Sequence, residues 1–149
     1  MTTMNASQGL AHWLDGIALS LAPEQRKVLM RKLAQGLRIR TRQRISAQRD
    51  PEGHRFIPRK RSQVGRIRRD ALFAKLPKKL KTQSSADHAA VGFSGRDGKI
   101  ARVHQFGLND KPSKHQVPAR YPIRALVGFS DDDQQWVTQQ IQEFISQHS

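Results

Sequence analysis

The sequence predicts an α+β protein: an N-terminal helical hairpin with a long basic second helix, then a small antiparallel sheet and a C-terminal helix. Three observations carry this. Apolar residues recur at spacings of three and four through the first 48 positions, the period of a helix with one buried stripe. Between Lys78 and Phe93 two short, weakly alternating runs flank the turn-forming Ser84-Ser85-Ala86-Asp87, the pattern of a hairpin. From Ser130 a cap residue and three aspartates precede another amphipathic stretch. The 149 residues fit one domain, with a helical hairpin over 1–49, a basic loop over 50–69 and an α+β core over 70–149.

Leu10, Trp13, Leu14, Ile17, Ala18 and Leu21 share one stripe of a helix over 5–21, with Asn5 or Ser7 as its cap. Pro23 and Glu24 open a second helix, since a proline at an early helical position and an acid in the first turn are both favoured. Leu29, Leu33 and Leu37 continue it, with Met30, Ala34, Thr41 and Ile45 alongside, to about Gln48. Its other face carries Arg26, Lys27, Arg31, Lys32, Arg38, Arg40, Arg42, Arg44 and Arg49, a basic arm more than a compact site. The short link folds the two helices into an antiparallel pair. Asp50-Pro51-Glu52-Gly53 ends the second through turn chemistry.

From His54 to Arg69 the chain is basic and poor in large apolar residues, which predicts an extended loop whose order depends on a partner. Asp70 to Leu76 predicts a short helix stopped by Pro77. Lys78–Gln83 and Ala89–Phe93 are the strand candidates. Ser94-Gly95-Arg96-Asp97-Gly98 reads as a further turn. A helix of one to two turns follows over Ile100–Phe106, with Ile100, Val103 and Phe106 inward and Gly107 as its stop. Residues 108–118 form a polar loop, and 121–129 an extended segment. The last helix buries Val137, Ile141, Phe144 and Ile145, carries Trp136 on its flank and runs to about Gln147.

The net charge of +15 is concentrated: residues 24–81 hold 20 Lys/Arg against Glu24, Asp50, Glu52 and Asp70. Such a block repels itself unless an acidic surface is near, whether nucleic acid, anionic lipid or an acidic protein. At 36% hydrophobic the core is thin, so a partner or self-association is expected to carry part of the stability. The absence of cysteine excludes disulfides and thiolate chemistry. No secretory signal and no apolar run near the roughly 20 residues of a membrane span are visible, so a soluble protein without membrane contact is expected.

No catalytic, cofactor or metal site emerges. His12, His54, His88, His104, His115 and His148 show no metal-ligand spacing. Asp131, Asp132 and Asp133 are explained as a helix start. Gly95 and Gly98 are too few for a phosphate loop. Nonspecific phosphate contact through the basic arm is a live alternative, although Phe56 and Phe73 are the only aromatics inside the basic block to stack on bases.

Three patterns in order resemble the phage virion morphogenesis (tail completion protein S) family of contractile-tailed phages. They are Arg42-Gln43-Arg44-Ile45-Ser46-Ala47-Gln48-Arg49-Asp50-Pro51-Glu52-Gly53 with Phe56-Ile57-Pro58-Arg59-Lys60; Ile100-Ala101-Arg102-Val103-His104-Gln105-Phe106-Gly107; and Tyr121-Pro122-Ile123-Arg124-Ala125-Leu126-Val127-Gly128-Phe129. Ala125 departs from the Arg-Pro more usual there, which softens the bend expected at that point. The resemblance implies a non-enzymatic structural virion protein that completes a contractile tail and joins head to tail, as part of a homo-oligomeric hexameric ring at the neck. It would reside in the tail of the virion, and in the host cytoplasm during assembly. Its partners would be itself, other tail or neck proteins, and channel DNA nonspecifically. On that reading Arg38, Arg42, Arg44, Arg55, Arg59, Lys60, Arg61, Arg66, Arg68 and Arg69 face neighbouring subunits. Arg102, His104 and Gln105 lie beside the short helix with Phe106 packed under it, Gly107 turns the chain, and Tyr121, Pro122 and Arg124 shape the segment returning to the core. A basic nucleic-acid-binding protein is the alternative.

Overall fold

The computed structural model describes residues 21–59, 72–111 and 117–148. The helix expected over 5–21, except for Leu21, lies outside these residues, as do Lys60 to Ala71. The described elements are α1 (Pro23–Ser46), β1 (Lys81–Ser84), β2 (Ala89–Gly92), α2 (Gly95–Phe106), β3 (Asn109–Asp110), β4 (Ala119–Arg120) and α3 (Asp131–His148), with a 3-10 turn at Leu76–Lys79. The class is α+β, as expected.

α1 begins as the sequence indicates, with Pro23 first and Glu24 in the opening turn, and the Gln25 side chain accepts the Ala22 N–H at 3.1 Å. Its end comes before the proline-glycine turn. Gln48 takes a left-handed φ of 62°, and two backbone bonds close the helix: Gln48 N–H to Ile45 O at 2.9 Å and Arg49 N–H to Arg44 O at 3.2 Å. This is a Schellman closure, with glutamine at the place glycine usually takes. The Gln48 side chain is the compensation, because it donates to Leu72 O at 2.9 Å and accepts from Leu72 N–H at 2.7 Å.

That clamp also explains why the short helix expected over 70–76 does not form across its described part. The Leu72 carbonyl is already bonded to Gln48, Phe73 adopts φ 59°, and residues 72–75 make turns. Pro77 then sits at the start of the 3-10 turn, where its missing N–H costs nothing, rather than stopping a helix.

β1 and β2 pair with each other. The four-residue connection admits only an antiparallel pair, and it is closed by Ser85 N–H to His88 O at 2.9 Å. α2 starts five residues before the expected Ile100. Ser94 is extended (φ −131°, ψ 166°) at the cap and Asp97 lies in the first turn, so the Gly95–Gly98 stretch opens a helix instead of making a separate turn. The inward stripe also differs. Ala101 is buried, Gly98, His104 and Gln105 are half-buried, and Ile100 and Phe106 are exposed. α3 begins with a reciprocal capping box: Ser130 Oγ accepts from Asp133 N–H at 3.0 Å, and Asp133 Oδ2 accepts from Ser130 N–H at 3.2 Å.

The chain forms two compact units. The first draws on residues up to Ile39, on Thr82–Val91 and on Phe129 onward. Its core is Leu21, Leu29, Leu33, Val137, Ile141 and Phe144, with Met30, Leu37, Ala89, Trp136 and Ile145 against it. The second draws on Arg40–Lys81 and Gly92–Gly128, and buries Ile45, Phe56, Leu76, Leu80, Ala101 and Leu126.

Trp136, expected on the flank of α3, lies directly over Gly36. A Cβ built at Gly36 would stand 2.0 Å from Trp136 Cη2 and 2.4 Å from Cζ2. Gly36→Ala is therefore expected to destabilise the protein by about 1–3 kcal/mol through overpacking, although alanine is the better helix former by about 1 kcal/mol; urea denaturation with a gain in stability would show that Trp136 yields freely. Ser130→Ala should cost about 1 kcal/mol by the same measurement, through loss of the cap on α3.

Candidate functional site

Most of the residues singled out by sequence between Arg102 and Arg124 meet in the second unit. The key side chain is Arg124, only 5% exposed. Its Nε donates to Ile57 O at 2.7 Å and its Nη2 to Pro58 O at 3.2 Å, while Nη1 lies 3.4 Å from His104 Nδ1. Its own N–H donates to His104 O at 2.7 Å. One residue thus ties the returning segment to the end of α2 and to the chain just before Arg59 and Lys60. Residues 54–59, expected as the free start of a loop, are held: Phe56 is buried, its N–H donates to Gln48 O at 2.8 Å, and Arg55 pairs with Arg49.

Gln105 makes the second tie. Its Oε1 accepts from Leu126 N–H at 2.7 Å and Val127 N–H at 3.0 Å, and its Nε2 donates to Val127 O at 2.9 Å. A side-chain amide substitutes here for a neighbouring strand, which lets 121–130 run extended without a sheet. Arg44 adds a third tie by donating to Leu126 O at 3.0 Å and Arg49 O at 3.3 Å. Gly107 closes α2 in the left-handed region (φ 63°), and a Cβ there would meet Ile123 Cγ1 at 2.8 Å and Tyr121 O at 3.0 Å. Only glycine satisfies both the conformation and the close approach. β3 and β4 continue from this crossing, with Asn109 opposite Arg120 and Asp110 opposite Ala119.

His104 sits in a run of rings: Phe56 to Phe73 at 5.5 Å, Phe73 to His104 at 4.7 Å and His104 to Tyr121 at 5.0 Å, all edge-to-face. Burial, then the charges of Arg124 and Arg59, push the imidazole pKa down to about 4 against a weaker opposing pull from Asp110. At neutral pH the ring is uncharged. Because Arg124 can only donate, Nδ1 is the acceptor and Nε2 carries the proton. Burial and Arg59 likewise lower the Arg124 pKa. Among the described residues no group of three His, Asp or Glu is placed to hold a metal ion.

The sequence profile of the phage virion morphogenesis family matches residues 6–147. The chain belongs to the phage virion morphogenesis family. It is 36% identical over 152 residues to the tail completion protein S of Escherichia phage P2, covering 97% of this chain and 98% of that protein. No solved structure matches it.

In this member of the virion morphogenesis family the motif residues divide by role. His104, Gln105, Gly107, Tyr121 and Arg124 hold backbone or rings together, with Pro122 half-buried beside them in sequence. Arg102 and Phe106 do not. Phe106, expected under α2, is 59% exposed, and the Arg102 guanidinium lies 5.7 Å from its ring centroid. The reason is register, because the inward face of α2 is the hydrogen-bonding face of Gln105 and His104. Of the cations expected at subunit contacts, Arg38, Arg42 and Arg55 are exposed, Arg59 is half-buried, Arg44 is bonded within the unit, and Lys60, Arg61, Arg66, Arg68 and Arg69 lie outside the described residues. Sequence reading passed over Gln48 and the scaffold role of Phe73; the placing of Phe56 and Phe73 as the only aromatics in the basic block was the available signal.

Phe106→Ala should change stability by less than about 1 kcal/mol, as for an exposed side chain, whereas Arg124→Ala, which strands two carbonyls and a ring nitrogen, should cost about 2–3 kcal/mol. Equal losses for the two in thermal unfolding would contradict this division. The unfolded chain binds a proton at His104 near pH 6.5 that the folded unit accepts only near pH 4. Stability present above pH 6.5 should therefore fall as the pH drops from 6.5 towards 4. His104→Gln, which keeps an acceptor and binds no proton, should show a flatter denaturation midpoint across that window.

Proposed function

We propose that this chain is a structural, non-enzymatic virion protein that completes a contractile phage tail and joins head to tail. It would act as a homo-oligomeric ring, a hexamer, at the neck or tail top. The observation that carries the reading is similarity along almost its whole length to a protein named for tail completion, within a family named for virion morphogenesis. On this reading its partners are other copies of itself and neighbouring tail or neck proteins, and it resides in the virion after assembly in the host cytoplasm. No helix among the described residues is long and apolar enough to cross a membrane.

Charge supports the partner assignment. The segments of the second unit, 40–81 and 92–128, carry 22 Lys/Arg against five Asp/Glu, while those of the first carry five against seven. So uneven a distribution favours an acidic neighbour on one side, either protein or the phosphates of channel DNA. Arg38, Arg42, Arg55 and Arg59, with Lys60, Arg61, Arg66, Arg68 and Arg69, are the cations we assign to such contacts. Arg44 is left out because its guanidinium is bonded to backbone carbonyls.

Negative-stain imaging with a DNA titration at two salt concentrations tests the reading. Rings with weak DNA affinity are expected. Monomers whose DNA binding falls steeply with salt would favour the nucleic-acid-binding alternative. Deleting residues 60–69 in the phage is expected to lower the yield of infectious particles at least tenfold, and full yield would remove that segment from the contact.

A further inference from the structure

α2 and the link before it border an open groove of about 520 Å³, lined on its apolar side by Phe93, Ala101, Phe106 and Val127 and on its charged side by Lys99 and Arg102. Two features mark it as a contact site. Phe106 remains more than half exposed although the cap of α2 is made by Val103 O and Gly107, so the fold does not require an aromatic there. Arg102 and Lys99 stand beside it with no carboxylate partner among the described residues. An exposed aromatic next to an arginine, over a floor of smaller side chains, is the composition of an interface anchor.

The groove calls for an apolar side chain followed by carboxylates, and the chain itself carries one such segment among the described residues. Phe129 is 37% exposed, and Asp131 and Asp132 are exposed, with no ion pair to any of the described residues. Asp133 differs, being turned back into the capping box. Of the other exposed carboxylates, Asp87 lies by Arg26, Glu24 by Lys27 and Glu52 by His54, while Asp110 and Glu143 are single carboxylates that accept from the Lys111 N–H and the Gln139 amide. In a chain of net charge +15, copies repel one another unless contact is made where local charges complement.

We propose that the groove of one copy receives Phe129 and the Asp131–Asp132 pair of a second copy. The proposal rests on the self-associating reading above and locates its contact. Each copy offers both the groove and the segment; made head to tail, the contact propagates until a ring closes, whereas made reciprocally it stops at a two-fold dimer. The groove would be the anchor of a larger interface, since a stable one buries roughly 800 Å² per partner.

The test uses the full chain and sedimentation velocity over a range of concentrations. One variant carries Lys99→Glu with Arg102→Glu; the other carries Asp131→Lys with Asp132→Lys. In each alone, groove and segment bear like charges, and self-association should weaken at least tenfold. Mixed in equal amounts, each groove finds a complementary segment on the other variant, and assembly should return. Because substitution at Asp131 also disturbs the start of α3, thermal midpoints are read in parallel, and Phe106→Ser, which leaves the residues of that helix unchanged and replaces a mostly exposed side chain, should weaken assembly tenfold with an unchanged midpoint. Assembly of either charge variant at wild-type strength, or a mixture that stays apart, would overturn this contact while leaving the ring reading in place. A wild-type chain that stays monomeric would overturn both. A wild-type dimer that grows no further, with the same behaviour on mixing, keeps the contact and overturns the ring.

Discussion

A guanidinium withdrawn from water is costly unless its donors are met, and in the second unit much of the backbone converges on meeting those of Arg124. No carboxylate among the described residues pairs with it. Its acceptors are the carbonyls of Ile57 and Pro58 and the neutral face of His104. This arrangement depends on the imidazole staying uncharged, which burial and the neighbouring cations ensure. The ring run from Phe56 through Phe73 and His104 to Tyr121 supplies the apolar surroundings that keep it so. Arg124, His104 and the aromatics are therefore one cooperative object, and loss of any member leaves the others with unmet polar groups or misplaced charge.

The same economy appears wherever this unit lacks regular structure. Gln105 satisfies Leu126 and Val127, Gln48 satisfies Leu72, and Arg44 satisfies Leu126. Long polar side chains do the work that a sheet would do in a larger domain, which suits a chain with few apolar residues. The first unit is stabilised differently, by apolar packing of α1 against α3 with Gly36 admitting the Trp136 ring. α1 contributes to both units, with residues to Ile39 in one and from Arg40 in the other.

For a virion morphogenesis protein this division is informative. The local sequence pattern that gives the chain its family resemblance is mostly scaffold: it fixes the chain at Pro58, immediately before the basic cluster that begins at Arg59. Of the residues singled out in its two later stretches (Arg102, His104, Gln105, Phe106, Gly107, Tyr121, Pro122 and Arg124), Arg102 and Phe106 are the ones left on the surface. On the proposed reading, recognition of neighbours falls to exposed cations and to the exposed aromatics among the described residues.

α1 and α3 were legible in the sequence because their burial is carried by residues of one kind at one period. Leucines every four residues, a proline at the start and a serine before aspartates encode their own helices, whatever surrounds them. The β1–β2 hairpin and the Gly107 stop were legible for the same reason, since turn chemistry is local. Tertiary structure decided what depends on side chains meeting across long separations. Gln48 ends α1 because Leu72 lies beside it. Residues 72–75 turn because that bond takes the Leu72 carbonyl. Phe106 faces outward because the polar side of α2, which a hydrophobic pattern would assign to solvent, is the side that binds 124–127. Periodicity reports only where apolar residues fall, so a face buried for its hydrogen bonds is invisible to it until the partner backbone is in place.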